Sequence, residues 1–182
     1  MSNKKEKIEI IITGGTIDSS WNGIKDTAVV NAHSIIPDYF QKLIIYPKIK
    51  FTEICMKDSR EINRRDLSNI LEATEKSKAK KILITHGTYT MPDTAKFLEA
   101  NLRRKDQTIV FTGSMVPLEG VYPTDAGFNL GFAISKVQDL KPGFYICMNG
   151  DTFNPQEVAK NLGEGKFYSI FRQVRKLFPR EK

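Results

Sequence analysis

The sequence has few cysteines and histidines and no long apolar run, and each of these features argues against one class of protein. Its 182 residues contain two cysteines and two histidines, and their spacing matches no metal-ligand pattern. No apolar stretch approaches the roughly 20 residues of a membrane helix, and residues 1–7 are charged, unlike a secretory leader. We therefore expect a cytoplasmic protein without metal, cofactor or membrane partner, with reduced thiols at Cys55 and Cys147.

The charge is only modestly unbalanced, and much of the excess lies in a basic tail. The formal net charge is +7, and residues 163–182 carry six Lys or Arg against Glu164 and Glu181. This charge leaves an RNA-associated domain open as one alternative. Because no nucleic-acid-binding motif accompanies it, we interpret the tail as solvated and expect no nucleic-acid partner. Its apolar residues recur at helical spacing and predict an amphipathic helix packed on the domain or on a partner subunit: Phe167, Ile170, Phe171, Val174 and Phe178.

Apolar runs and helical patterns alternate along the chain. Four runs without polar alternation predict strands buried on both faces, and a fifth is more mixed: residues 8–12, 81–85, 108–112, 143–148 and, mixed, 48–56. Helices are predicted after the cap Asn63, after a capping box at Thr90, and over residues 125–140. The pattern predicts one α/β domain over residues 1–182, a doubly wound, mainly parallel sheet with helices on both faces, Rossmann- or flavodoxin-like, and right-handed crossovers.

Hydroxyl side chains and glycines follow the ends of four predicted strands. The turns are Thr13-Gly14-Gly15-Thr16, Asp58-Ser59-Arg60, His86-Gly87-Thr88-Tyr89 and Gly113-Ser114. Because the carboxyl ends of parallel strands lie along one edge of a sheet, we expect these turns to meet and form a pocket for a small polar ligand.

The first turn favours covalent chemistry over phosphate binding. Neither Gly-x-Gly-x-x-Gly nor Gly-Lys-Thr occurs there, which argues against a phosphate cradle. A threonine nucleophile at Thr16 is the better interpretation, with backbone N–H groups available to an oxyanion, but its hydroxyl needs a base or a charged neighbour.

Taken together, the turns resemble a known family. Thr13–Ile17 and Ile84–Thr88, with Thr112–Met115 and residues 125–130 in the same order, are similar to the amino-terminal domain of the bacterial-type L-asparaginases, from about residue 8 to 149. The resemblance implies a doubly wound α/β domain, a homo-oligomer, and hydrolysis of asparagine or glutamine through an acyl-enzyme. It implies these site residues: Thr16 as nucleophile, Thr88 as second catalytic threonine, Ser59 on the substrate carboxylate, and Gly15, Gly87 and Ser114 in the substrate pocket.

Two positions depart from the pattern of that family. Tyr89 stands where the family has an aspartate that anchors the substrate ammonium, and Arg60 stands where it has a glutamine. Both changes make the pocket more positive, so we expect Arg60 and Tyr89 to favour a small amide or carboxylate more anionic than asparagine. The family's lysine has no good counterpart, since Lys136 and Lys141 both fit poorly. A catalytically silent ligand-binding module is the second alternative.

Overall fold

The central sheet explains why the apolar runs lack polar alternation. The computed structural model describes residues 7–171, and its main sheet has six strands. In spatial order these are β4 (Ile49–Lys57), β1 (Ile8–Gly14), β5 (Lys81–Thr85), β6 (Thr108–Thr112), β7 (Gly143–Met148) and β8 (Asp151–Phe153). All neighbours are parallel except β8, which pairs antiparallel with β7. The predicted parallel sheet is confirmed, and β1 continues to Gly14.

Helices cover both faces of this sheet. They are α1 (Ile36–Gln41), α2 (Arg64–Lys76), α3 (Met91–Asn101) and α4 (Ala126–Asp139). Successive strand residues point to opposite faces. Ile82 and Ile84 therefore pack in the core under α2 and α3, and Leu83 packs in the core under α1 and α4. The three-layer α/β fold is thus confirmed. Within residues 7–171 no helix is long and apolar enough to cross a membrane.

The two predicted helix caps have different outcomes. Asn63 and Asp66 form a complete capping box at the start of α2, as expected. The box predicted at Thr90 is wrong, because the Thr90 side chain makes no capping hydrogen bond to α3. Its hydroxyl instead donates to the Ser59 carbonyl oxygen at 2.8 Å. The Thr90 side chain does not cap α3, so it can link the turn before α3 to the turn after β4.

One crossover has the opposite hand to the others. Strands β5, β6 and β7 advance in one direction across the sheet, yet α3 packs on one face and α4 on the other. The expectation of right-handed crossovers throughout is therefore wrong for the β6–α4–β7 connection. The helix α1 has only six residues and covers only part of its face of the sheet. The helix α4 covers the rest of that face by packing on β5, β6 and β7.

Two short antiparallel ribbons flank the sheet. β2 (Ser19–Asn22) pairs with β3 (Thr27–Val30), and β9 (Val158–Asn161) pairs with β10 (Lys166–Ser169). The predicted tail helix is wrong over β10, because Phe167 is buried in the core from a strand. Its later members Val174 and Phe178 lie outside the described residues.

Candidate active site

The turns after β1 and β5 are in direct contact. Gly15 has φ +87°, and a Cβ on it would lie 2.4 Å from both the Cα and the backbone nitrogen of Gly87. Only a glycine without a side chain permits this approach. The contact brings the turn that carries Thr16 against the turn that carries Thr88. Thr16 is half-buried, and Thr88 is 6% exposed.

The turn after β4 packs on the same glycine pair. A Cβ on Gly87 would lie 2.8 Å from the Cβ and the Oγ of Ser59, so Gly87 also has to be a glycine. Ser59 is 3% exposed, and its Oγ accepts a hydrogen bond from the Thr90 backbone N–H at 3.4 Å. The Ser59 hydroxyl is therefore held against the turn that carries Thr88, and in this contact its oxygen accepts rather than donates.

The turn after β6 closes the group of four. The Thr88 hydroxyl donates to the Met115 sulfur, with Oγ1 and Sδ 3.8 Å apart. Ser114 is buried and donates its hydroxyl to the Val116 carbonyl, which occupies its proton within the turn. Asp125 accepts hydrogen bonds from the N–H groups of Met115 and Val116. All four turns expected to meet are thus neighbours at the carboxyl edge of the sheet.

Lys160, which the sequence did not predict as a site residue, contacts Thr88. It lies on β9, and its Nζ donates to the Thr88 Oγ1 at 2.7 Å. Lys136 instead lies in the last turn of α4, with its ammonium 5.4 Å from the Phe132 ring centroid. No strand-end signal pointed to Lys160, because β9 lies outside the main sheet and follows the antiparallel strand β8.

The environment of Lys160 lowers its pKa. Burial disfavours the ammonium, and the guanidinium of Arg60 repels it, while Asp58 partly opposes both effects. A lysine with a lowered pKa loses its proton more readily, and the neutral amine can then accept a proton from a hydroxyl. The Lys160–Thr88 pair thus has the chemistry of a base beside a hydroxyl.

The Tyr89 ring has both cations of this edge close to it. The Arg60 guanidinium carbon is 5.4 Å from the Tyr89 ring centroid, and the Lys160 Nζ is 5.6 Å from it. Arg60 also forms a bidentate ion pair with Asp58, with Nε–Oδ1 at 2.9 Å and Nη2–Oδ2 at 2.8 Å. Its side chain is 64% exposed, so Arg60 lies at the rim of the site rather than inside it.

His86 is a structural group at the floor of the same region. It is fully buried, and its Nδ1 lies 2.8 Å from the Gly87 carbonyl oxygen. Burial lowers the pKa of His86 to about 4, although the hydrogen bond to Gly87 opposes the shift. The ring is therefore neutral at physiological pH, and it supports the turn of Gly87 without contributing charge.

Comparisons with known proteins show which family this chain resembles over almost all of its described residues. The family model described as "Asparaginase, N-terminal" matches residues 7–167. The chain is 30% identical over 168 residues to an L-asparaginase of Thermococcus kodakarensis, covering 90% of this chain and 51% of that protein. It is 27% identical over 169 residues to a glutaminase-asparaginase of Acinetobacter glutaminasificans, covering 87% and 50%. The chain thus spans about half the length of the curated relatives it matches.

Solved structures give the same result for the fold. The structure of the thermostable L-asparaginase from Thermococcus kodakarensis superposes with a TM-score of 0.73 at 29% identity, covering 90% of this chain and 51% of that one. L-asparaginase I from Vibrio cholerae superposes with a TM-score of 0.77 at 22% identity, covering 91% and 51%. Both similarities extend over nearly the whole of the present chain.

Proposed function

Because the chain belongs to the asparaginase family through the amino-terminal domain of that family, we propose that it hydrolyses a small-molecule amide with Thr16 as the nucleophile. The observation that carries the proposal is the 2.7 Å hydrogen bond from Lys160 to Thr88. It lies where the turn of Thr88 packs against the turn of Thr16. A nucleophilic hydroxyl needs a nearby base, and this pair supplies one.

The proposed reaction proceeds through an acyl-enzyme. The Thr16 oxygen attacks the amide carbon while its proton passes to Lys160 through the Thr88 hydroxyl. Backbone N–H groups that follow Gly15 in the same turn would hold the oxyanion, because the Gly15 N–H itself donates to the Lys57 carbonyl oxygen at 2.9 Å. The C–N bond then breaks as the nitrogen takes the proton back and leaves as ammonia. Water attacks the ester carbon, releases the carboxylic acid and restores the Thr16 hydroxyl.

The remaining site residues are assigned to substrate binding. Ser59 would donate its hydroxyl proton to a substrate carboxylate, since its oxygen already accepts from Thr90. Gly15 and Gly87 would shape the pocket by letting the three turns pack together, and Tyr89 would form part of the wall. Ser114 would act indirectly, because its hydroxyl is committed to Val116 and fixes the turn that contacts Thr88.

The test is ammonia release from a panel of ω-amides by wild type and Thr16→Ala. We expect the substitution to lower kcat by about a thousandfold or more, as for other removed nucleophiles. Thr27→Ala, which removes an exposed hydroxyl from β3, is the matched control and should retain activity. Equal rates for Thr16→Ala and wild type would refute the nucleophile. Ligand-induced thermal stabilisation without hydrolysis of any amide would instead favour the silent binding module.

Three further expectations stay predictions. They are a homo-oligomer, a cytoplasmic location, and a single domain over residues 1–182 with residues 163–182 packed on it or on a partner subunit. Light scattering of the purified chain would measure the first. A monomer with full amidase activity would show that the site needs no second copy.

A further inference from the structure

The charges beside the proposed site favour an anion. The charged groups that act on Lys160 are those of Arg60 and Asp58. Only Asp58 of these two is a carboxylate, and it is already paired with Arg60. Both cations also lie within 6 Å of the Tyr89 ring centroid, at 5.4 and 5.6 Å. The Tyr89 ring therefore already has two basic side chains beside it.

The carboxylate of this group is committed to Arg60. Asp58 Oδ1 accepts from both the backbone N–H and the Nε of Arg60 at 2.9 Å, and Oδ2 accepts from Nη2 at 2.8 Å. A bidentate pair of this kind is among the stronger charged hydrogen bonds in proteins. An ammonium group on a substrate would have to compete with Arg60 for Asp58. A substrate carboxylate can use donors that Asp58 does not engage, namely the Ser59 hydroxyl and the Arg60 Nη1, because Asp58 binds the Nε and Nη2 of Arg60.

Resting on the proposed amide hydrolysis, we propose that this site selects the ω-amide of a dicarboxylic acid that has no α-ammonium group, such as succinamate, over the corresponding amino acid. The amide would lie at Thr16 and Thr88, and the carboxylate would lie toward Ser59 and Arg60. An uncharged methylene would then occupy the place where an amino acid has its ammonium. Hydrolysis converts succinamate and water into succinate and ammonia, with one C–N bond broken and one C–O bond formed.

The experiment has a catalytic arm and a binding arm. In the first, kcat/KM is measured for succinamate and for L-asparagine, and we expect succinamate to be favoured by about tenfold or more, from repulsion of the ammonium. In the second, calorimetry compares the products succinate and L-aspartate on the wild-type chain. We expect succinate to bind more tightly by a similar factor. Equal or tighter binding of L-aspartate would overturn the proposal, and so would no binding of succinate at millimolar concentration.

The Tyr89→Asp variant tests the cause of the selectivity. It adds a carboxylate close to Arg60 and Lys160, so the preference should move toward L-aspartate and L-asparagine by about tenfold. Tyr46→Asp, at an exposed position before β4 and near the opposite edge, is the control for net charge and should leave the ratio unchanged. An unchanged ratio in Tyr89→Asp would overturn the proposal. Succinate binding without amide hydrolysis would refute the proposed function but leave the charge selection standing.

Discussion

The two edges of the central sheet each hold a lysine beside buried polar groups, but their partners differ. At the amino edge the Lys50 Nζ lies 2.7 Å from the Glu9 Oε1. Glu9 also accepts from the hydroxyls of Thr52 at 2.7 Å and Ser77 at 2.6 Å. At the carboxyl edge Lys160 donates to the Thr88 hydroxyl. The structure gives Lys160 no carboxylate at ion-pair distance within residues 7–171.

This difference separates a stabilising network from a reactive one. A buried charge with all its hydrogen bonds made is held in one protonation state and contributes to folding. A partly buried lysine without a counter-ion has a lowered pKa and gives up its proton more readily than an exposed lysine does. We therefore expect substitutions at the amino edge to change stability, and substitutions at the carboxyl edge to change activity.

The largest expected effect is that of Lys160→Met. The substitution keeps a long side chain but removes the amine, so Thr88 loses its base. We expect kcat to fall by about a thousandfold, within the usual range for a general base, with little change in melting temperature. Steady-state ammonia release and thermal denaturation of the same samples measure both quantities.

A matched control is available on the neighbouring strand. Lys166 is exposed on β10, and Lys166→Met removes the same charge from the same ribbon. Its kcat should be unchanged. If the two variants lose activity equally, the ribbon rather than the Lys160 amine is what the reaction needs, and the contrast between the two edges fails.

The pH dependence of the reaction is the next expected effect. The base must be neutral to act, so kcat/KM should rise about tenfold per pH unit below the pKa of Lys160 and level off above it. Because that pKa is lowered by burial and by Arg60, the plateau should begin below the ordinary lysine value of about 10.4.

A substitution at Arg60 sharpens this test. Arg60→Gln removes a repelling cation and frees the Asp58 carboxylate, and both changes raise the pKa of Lys160. The inflection should therefore move to higher pH. Arg103→Gln, at an exposed position after α3, controls for net charge and should leave the profile in place. A shift of the Arg60→Gln profile to lower pH would contradict the assignment of Lys160 as base.

The sheet could be predicted from the sequence because its signal is local. The predicted strands at residues 81–85, 108–112 and 143–148 coincide with β5, β6 and β7, since a strand buried on both faces requires a continuous apolar run. The hand of the β6–α4–β7 connection could not be predicted in this way. The hand of this connection depends on which face of the sheet α1 leaves partly uncovered, and that is known only once the whole sheet has formed.

The candidate site was predictable in part for the same reason. Thr16, Ser59 and Thr88 follow strand ends, and the edge of a parallel sheet brings such residues together. Lys160 does not follow the end of a parallel strand. It lies on a four-residue strand after the antiparallel β8, and the local sequence has no chemical signature. Only the folding of the β9–β10 ribbon against the turn of Thr88 identifies it. The position of Arg60 at the rim could not be predicted either, because the ion pair with Asp58 sets it.

The smallest expected effect is at the amino edge, where Glu9→Gln should reduce stability and leave activity unchanged. Losing a charged hydrogen-bond acceptor costs on the order of 1.5–3 kcal/mol of unfolding free energy. Urea denaturation measures this loss. Glu119→Gln breaks the exposed Lys42–Glu119 pair and should cost under about 1 kcal/mol. Equal losses of unfolding free energy in the two variants would show that the buried network stabilises the fold no more than an exposed ion pair does.

Acid titration of the same variants gives the sign of the Glu9 contribution. Burial alone would raise the pKa of Glu9, but hydrogen bonds from Lys50, Ser77 and Thr52 outweigh it, and the pKa is lowered from its ordinary 4.5. A carboxylate with a lowered folded-state pKa contributes stability above its unfolded-state pKa and loses it as pH falls through the folded-state value. The stability difference between wild type and Glu9→Gln should therefore be constant near neutral pH and shrink on acidification below about 4.5. A stability difference that grows on acidification would mean that Glu9 is protonated in the folded protein. The amino edge would then not be an ionised, stabilising network, and the contrast with Lys160 would fail.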